Sequence, residues 1–165
     1  MTPFSMKAFT ASALLLVLTG CAASGNTAPQ QISQVRQITQ SAHCGLTGPG
    51  VAYVDSAEEL DAFLGVRGQN MSTGVIRQVD LEQEQLIFVT LGQKTTAGYS
   101  LGLKEVSQDH GTLKLQMDLK APAPDMMVAQ VITSPCVVLA VAGGNWERVE
   151  VTGATEQPLV ERVKR

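Results

Sequence analysis

The sequence predicts a mainly β domain, α+β at most, built as a small antiparallel sandwich or a strongly curved sheet of about six or seven strands with one short helix. Three patterns support this fold class. Residues 86–91 form a short apolar run rich in β-branched and aromatic residues, which is typical of a buried strand. Residues 112–120 alternate strictly between apolar and polar, as in a strand with one buried face. No amphipathic stretch of helix length follows Gly65.

Residues 1–20 have the pattern of an export signal. Lys7 precedes an apolar run over residues 8–18, which is shorter than the ~20 residues of a membrane-spanning helix. The run ends in Leu-Thr-Gly-Cys at residues 18–21, which resembles the bacterial lipobox. This resemblance implies that the signal peptide is removed and that the Cys21 thiol is lipidated, with palmitate as an expected modification. An ordinary signal peptide with a chance cysteine is the alternative.

The residues after Cys21 indicate where the protein is held. Ala22 follows the cysteine, and lipoproteins of two-membrane bacteria that lack aspartate at this position usually go to the outer membrane. The resemblance therefore implies a lipid anchor in the cell envelope, with the outer membrane and a periplasm-facing domain as the expected location. Residues 22–31 are small, polar and uncharged, the composition of a flexible tether. Residues 32–152 are predicted to form the exported domain.

A short helix is predicted after Asp55. Asp55 with Glu58, and Ser56 with Glu59, form two overlapping capping boxes that place acids at the positive end of a helix. Gly65 ends the helix. Its apolar face is expected to pack as a lid on a sheet.

The other strands are separated by glycine and proline. Residues 32–39 predict a first strand, with a short helix as the alternative. Pro122 and Pro124 end the alternating strand because proline donates no ladder hydrogen bond. Residues 130–141 are apolar on both parities and predict two partly separate strands with a bulge or bend at Pro135.

The last part of the chain is predicted to contain a hairpin, one strand and an irregular tail. Residues 143–145, Gly-Gly-Asn, predict a hairpin into a strand over residues 146–151. Residues 153–165 are predicted to be a frayed C-terminal tail, with a final strand over residues 159–163 as the alternative. The predicted core consists of inward-facing apolar residues of these strands: Leu86, Phe88, Leu101, Leu103, Leu113, Leu115, Val131, Val137, Leu139, Val149 and Val151.

The polar stretch of residues 92–100, with its loop at residues 92–99, is the best candidate for a surface presented to a partner. Gly92 and Gly98 bracket it between two strand-like runs, so it is expected to project from one end of a hairpin. A longer loop with no partner is the alternative, and the loop of residues 121–127 is the second candidate surface. The residues expected to contact a protein partner are Lys94, Thr95, Thr96, Gly98 and Tyr99.

Composition and cysteine count narrow the function. Charged residues make up 16% of the chain and the net charge is −3, so no nucleic-acid partner is predicted. His43 and His110 lack the paired spacing of a metal site with the cysteines, and no metal or cofactor is expected. Cys44 and Cys136 are the remaining thiols once Cys21 is lipidated. Because the exported compartment is oxidising, these two are predicted to form a disulfide.

The sequence does not predict an enzyme. Residues 98–102 match G-x-S-x-G, but a nucleophile elbow requires a strand, a sharp turn and then a helix. Ser100 instead begins an alternating strand, and the sole downstream histidine, His110, lies in a nearby turn. Two pairs of acids are predicted to be solvated: Glu58 with Glu59, and Glu82 with Glu84.

Residues 80–141 combine a leading apolar strand, a Gly-Gln-Lys-Thr-Thr-Ala-Gly-Tyr loop, an alternating strand, Pro122 and Pro124, and a closing Ile-Thr-Ser-Pro-Cys-Val-Val. This arrangement resembles the C-terminal domain of the PrcB family. The family takes its name from a subunit of a secreted bacterial protease complex, which supports the protease and is not itself catalytic. The resemblance implies a non-enzymatic envelope lipoprotein that binds and supports a protein partner, with a secreted or periplasmic protease as the candidate.

Two alternative functions follow from the same residues. The Thr-Thr-Ala-Gly-Tyr stretch of residues 95–99 also resembles the threonine-glycine loop of chagasin-type cysteine protease inhibitors. That resemblance implies an inhibitor that presents this loop to a protease. A structural envelope lipoprotein with no protease partner is the third hypothesis.

Overall fold

The computed structural model describes residues 34–163. The predicted signal peptide, Cys21 and the tether lie outside this range. In the described range the chain forms, in order, β1 (Gln34–Ser41), β2 (Pro49–Val54), α1 (Ala57–Leu64), α2 (Thr73–Ile76), β3 (Glu84–Leu91), β4 (Ser100–Asp109), β5 (Thr112–Lys120), β6 (Cys136–Ala142), β7 (Arg148–Thr152) and β8 (Leu159–Arg162). None of the helices in residues 34–163 is long and apolar enough to cross a membrane.

The described strands form two four-stranded sheets. The first has the order β1-β6-β3-β2, and every neighbouring pair in it is antiparallel. The second has the order β4-β5-β7-β8, in which only β5 and β7 are parallel. The predicted mainly β sandwich is therefore confirmed. Residues 34–163 form eight strands, more than expected, and a second, four-residue helix that was not predicted.

The first core lies between the two sheets. Ile87 and Val89 of β3 and Leu139 of β6 point toward Leu113 and Leu115 of β5, and all five side chains are fully buried. Burying such a side chain contributes roughly 1.5 to 3 kcal/mol relative to leaving it exposed. This layer therefore supplies much of the energy that holds the sheets together.

The second core covers the outer face of the first sheet. Leu86 and Phe88 of β3 and Val138 of β6 pack under the two helices. Phe63 of α1 stacks on Phe88 with 5.0 Å between the ring centroids. Because β3 and β6 are buried on both faces, they are apolar at consecutive positions and not at alternate ones.

The helix α1 is capped as one of the two predicted boxes requires. Ser56 is the N-cap residue, and its hydroxyl oxygen accepts a hydrogen bond from the backbone N–H of Glu59 at 3.3 Å. Gly65 follows the helix, and its N–H donates to the carbonyl of Asp61 at 2.9 Å. Leu60 and Leu64 are buried against the sheet, which confirms the predicted lid.

The prediction of two strands over residues 130–141 is wrong. Only β6 forms there, from Cys136 onward, and its continuous apolar run results from burial on both faces and not from a bend. Residues 130–135 lie outside the sheets. Val131, predicted to be in the core, is 48% exposed, and Leu103 is only partly buried.

Two connections predicted as hairpins cross from one sheet to the other. Residues 92–99 link β3 of the first sheet to β4 of the second, and residues 143–147 link β6 to β7. Both hairpin predictions are wrong, because each pair of flanking strands lies in different sheets. A tight hairpin does join β4 to β5. Its central residues His110 and Gly111 have φ angles of 42° and 72°, as in a type I′ turn.

The first and last described strands complete the sheets. Val35 packs against the first core and Ile38 against the second, as the alternation of a strand requires for residues three apart. The register of β1 against β6 shifts between Gln37 and Thr39. β8 pairs with β7, so the frayed tail is wrong over residues 159–162 and the alternative strand is confirmed.

One acid predicted to be solvated is held in an ion pair. Arg36 of β1 donates two hydrogen bonds to Glu84 of β3, from Nε at 3.0 Å and from Nη2 at 2.6 Å. The hydrogen bonds from Arg36 lower the pKa of Glu84 from its ordinary value. The pair spans β6, which lies between the two strands. Glu58, Glu59 and Glu82 are exposed, as predicted.

The predicted disulfide is present between Cys44 and Cys136. Their Cα atoms are 6.0 Å apart, and 92 positions separate the two residues in sequence. Both residues are almost fully buried in the second core. The bond ties the segment between β1 and β2 to the first residue of the central strand β6.

Replacing both cysteines, by Cys44→Ala with Cys136→Ala, should lower the free energy of unfolding by about 2 to 5 kcal/mol, because the open chain gains entropy when it unfolds. Urea unfolding followed by tryptophan fluorescence measures this difference. Wild-type protein unfolded with reductant is the control and should match the double variant. Two free thiols per chain, found by alkylation of unreduced protein in denaturant, would contradict the pairing.

Candidate functional site

The predicted contact loop lies at one end of the sandwich. The first sheet has two ends. Gln34, where β1 begins, lies at one of them, and the end of β3 at Leu91 and the start of β6 at Cys136 lie at the other. Loop 92–99 and residues 121–135 both adjoin this second end, which we term the loop end. The other is termed the Gln34 end.

The second sheet reaches the loop end as well. Ser100 and Lys120 pair there, where β4 begins and β5 finishes. At the other extreme of the same sheet, Thr112 pairs with Arg148. The loop end is thus bordered by both sheets.

Gly92 fixes the start of loop 92–99. Its φ angle is +67°, and a Cβ atom there would lie 2.7 Å from the backbone of both Gly48 and Pro49. The next residue, Gln93, donates its N–H to the carbonyl of Thr47 at 3.0 Å. The loop is therefore packed directly against the segment that leads into β2.

Residues 129–133 pair with the loop along one side. Lys94 and Thr133 exchange two backbone hydrogen bonds, at 2.8 and 2.9 Å, and the N–H of Ala97 donates to the carbonyl of Ala129 at 3.0 Å. The hydroxyl of Thr133, which is buried, donates to the carbonyl of Thr96 at 3.0 Å. The expectation of a projecting loop is corrected, because its backbone is bonded to a neighbouring segment.

The side chains of the loop divide between packing and exposure. Tyr99 packs against the first core, and the Lys94 Nζ lies 5.5 Å from its ring centroid, within cation–π range. Gly98 has φ +96° and lies against Pro122. Thr95 is exposed and Thr96 is half-buried. The structure brings the five predicted contact residues together, and their contact with a partner stays a prediction.

Among residues 34–163, exposed apolar side chains are most concentrated beside this loop, in residues 126–132, which we term the exposed apolar segment. Its exposed side chains are Met126 at 57%, Met127 at 99%, Val131 at 48% and Ile132 at 68%. Single exposed apolar residues are common, whereas large contiguous apolar patches mark interaction sites, so this concentration in one segment makes it a candidate surface. Sequence reasoning ranked residues 121–127 second and missed the rest, because Val131 was assigned to the core.

The structure also places the residues of the other two candidate sites, the nucleophile elbow and the metal site. Ser100 opens β4 and is followed by a strand and not by a helix, while His110 lies beyond the far end of that strand, roughly 30 Å away at 3.3 Å per residue. The nucleophile elbow is therefore not formed. Within residues 34–163 no three side chains of the metal-binding types are grouped to hold an ion.

A polar cleft of about 480 Å³ lies near the Gln34 end, beside the β4–β5 turn. Its lining includes His110, Thr112 and Arg148. The guanidinium of Arg148 already donates to the hydroxyl of Thr112 at 3.0 Å. The side chain of His110 is 94% exposed and thus open to solvent. Within residues 34–163 no buried side-chain nitrogen or oxygen lacks a hydrogen-bond partner, so none is left for a ligand in this cleft.

Comparison with known proteins finds a family match in the middle of the chain. Residues 86–142 match the family model described as PrcB C-terminal. No curated protein and no solved structure matches the chain. The matched residues run through β3 to the end of β6, so they contain both loop 92–99 and the exposed apolar segment.

Gly92→Ala should destabilise the domain by about 2 to 4 kcal/mol, since it combines left-handed backbone strain with overpacking against two backbones. Gly48→Ala is the matched control, because a Cβ there meets nothing within 4 Å. Urea unfolding of both variants measures the contrast. Equal stability of the two would mean that the loop is not packed as described.

Proposed function

From the membership of residues 86–142 in the PrcB C-terminal family, we propose that this chain is a non-enzymatic accessory protein of the bacterial envelope that binds and supports an exported protease. In this proposal the lipid on Cys21 anchors the protein in the outer membrane, and the domain faces the periplasm. The observation that carries the proposal is the exposed apolar segment, which lies within the matched residues.

The geometry of the domain favours a partner at the loop end. The chain enters the first sheet at Gln34, so a tether to a membrane starts from the Gln34 end. β1 alone spans roughly 25 Å at 3.3 Å per residue. The exposed apolar segment lies at the opposite end and would therefore be directed away from the bilayer.

Support of the protease is favoured over inhibition by the state of loop 92–99. An inhibitory loop must project into the cleft of an enzyme, but Lys94 and Ala97 bond to the neighbouring segment and Tyr99 packs against the first core. Inserting the loop into a cleft would break these contacts. The exposed apolar segment can bind a surface without such a cost.

Photo-crosslinking in the native host tests the proposal. A photoreactive residue placed at Met127 should form a covalent product with an exported protease, because this side chain is 99% exposed. Asn145 is the matched control position, since it is exposed but lies in the connection at the Gln34 end. The crosslinked product is identified by mass spectrometry.

The activity of the envelope protease separates the three functions. Deleting the gene should lower the amount or activity of the captured protease, and the full chain should restore it. Higher activity in the deletion strain would indicate an inhibitor. If a photoreactive residue at Met127 captures no protease and the protease activity of the envelope is unchanged in the deletion strain, both the supporting and the inhibitory function are overturned. A structural lipoprotein would then be the remaining hypothesis.

A further inference from the structure

The exposed apolar segment leads into β6 without a turn or bend between Met126 and Ile132. Where it approaches β6 it has the alternating bonds of an extended backbone, since Thr133 bonds to Lys94 and the next residue, Ser134, bonds to Ala42 and Cys44. An extended backbone directs the N–H and C=O groups of successive residues to opposite sides. The two sides of this segment can therefore be considered separately.

One side of the segment is bonded to the protein itself at Ala129 and Thr133, while no group within residues 34–163 bonds to the backbone of Val131 between them. Thr133 directs both its N–H and its C=O to Lys94, at 2.9 and 2.8 Å, and Ala129 accepts from Ala97. Loop 92–99 thus occupies this side and holds the segment in place.

The other side is occupied only near β6. The N–H of Ser134 donates to Ala42 at 2.8 Å, and its carbonyl accepts from Cys44 at 3.0 Å. After Ser41 the chain leaves β1, and pairing with this side stops at Ser134. Ile132 and Gln130 follow on the same side by the alternation of extended backbone. Within residues 34–163, no group bonds to the backbone N–H or C=O of either residue.

We propose that this open edge binds an extended segment of a partner protein by strand addition. The partner backbone pairs with Gln130 and Ile132, and apolar side chains at alternate positions of the partner pack on the exposed apolar segment. Strand addition obtains affinity from backbone hydrogen bonds and selectivity from alternate side chains. The inference rests on the proposed function only for the identity of the partner.

The chemistry of the edge selects an extended peptide over other occupants. Backbone groups of Gln130 and Ile132 lie two residues apart, a spacing of about 6.7 Å that a second extended backbone matches. Acyl chains offer no donors or acceptors for these groups. The methionines add flexible side chains that adapt to varied apolar partners.

The position of the edge favours a separate protein over flanking parts of this chain. Gln34 lies at the opposite end of β1. Val163 donates its N–H to the carbonyl of Glu147, in the connection that leaves β6 at the Gln34 end. Both points at which the chain continues beyond the described residues are therefore remote from the edge.

Selection from a phage-displayed library of random linear peptides on the full chain tests the proposal. Selected peptides should carry apolar residues at alternate positions and lack proline between them. Ile132→Pro should weaken their binding by about tenfold or more, because proline removes the edge donor and obstructs pairing. Ile132→Ala is the matched control, since it loses the side chain but keeps the N–H, and it should bind more tightly than Ile132→Pro.

The fold must be intact in these variants. Ile132 donates no backbone hydrogen bond within the described chain and lies outside the helices and sheets, so proline removes no bond of the fold. Equal melting temperatures and retention of the disulfide verify this. If Ile132→Pro does not fold, Gln130→Pro serves as the second variant. In the bound wild-type protein, amide exchange at Gln130 and Ile132 should slow.

Three results would overturn the proposal: no enriched peptides, equal peptide binding by the wild type and Ile132→Pro, or self-association of the wild type that Ile132→Pro abolishes. The last would make a second copy the occupant. Peptide binding at this edge without a protease crosslink would reject only the proposed function. If a protease is crosslinked but Ile132→Pro binds the selected peptides as well as the wild type does, only the proposal of strand addition at this edge is rejected.

Discussion

Burial of β3 and β6 on both faces is the constraint on which the rest of the structure depends. One face of each strand meets the second sheet through Ile87 and Leu139, and the other meets the helices through Phe88 and Val138. Such double burial removes nearly all the apolar surface of both strands from water, at roughly 25 cal/mol per Å². The disulfide adds a covalent tie at Cys136, the first residue of β6. The ends of these two strands at Leu91 and Cys136 are therefore firmly held.

The loop end is held in place because it is attached to these strand ends. Leu91, the last residue of β3, donates its N–H to the carbonyl of Pro135 just before β6, at 2.9 Å. Two segments of the chain extend from this point: loop 92–99 after β3, and residues 129–134 before β6. They stay paired through the backbone hydrogen bonds between Lys94 and Thr133. An apolar segment that is held extended before it meets a partner loses little conformational entropy on binding.

Local patterns in the sequence predicted much of the fold. The alternation over Thr112–Lys120, the caps at Ser56 and Gly65, and the cysteine count gave a strand, a helix and the disulfide. The pairing of strands was harder to predict, because residues 92–99 and 143–147 have turn chemistry that suits a hairpin or a crossover equally. The exposure of Val131 and Ile132 had no sequence signal, since the same apolar residues would suit a buried strand. Whether they are buried depends on where β1 leaves β6, which is a tertiary property.

The claim that the segment beside loop 92–99 is bonded on one side and open on the other can be measured directly in the free protein. Amide hydrogen exchange of the full chain, followed residue by residue by NMR, reports on each backbone N–H. We expect Thr133 and Lys94 to exchange slowly, because they bond to each other, and Gln130 and Ile132 to exchange rapidly in the absence of a partner. Slow exchange at Gln130 and Ile132, or rapid exchange at Thr133, would contradict this arrangement of the loop end.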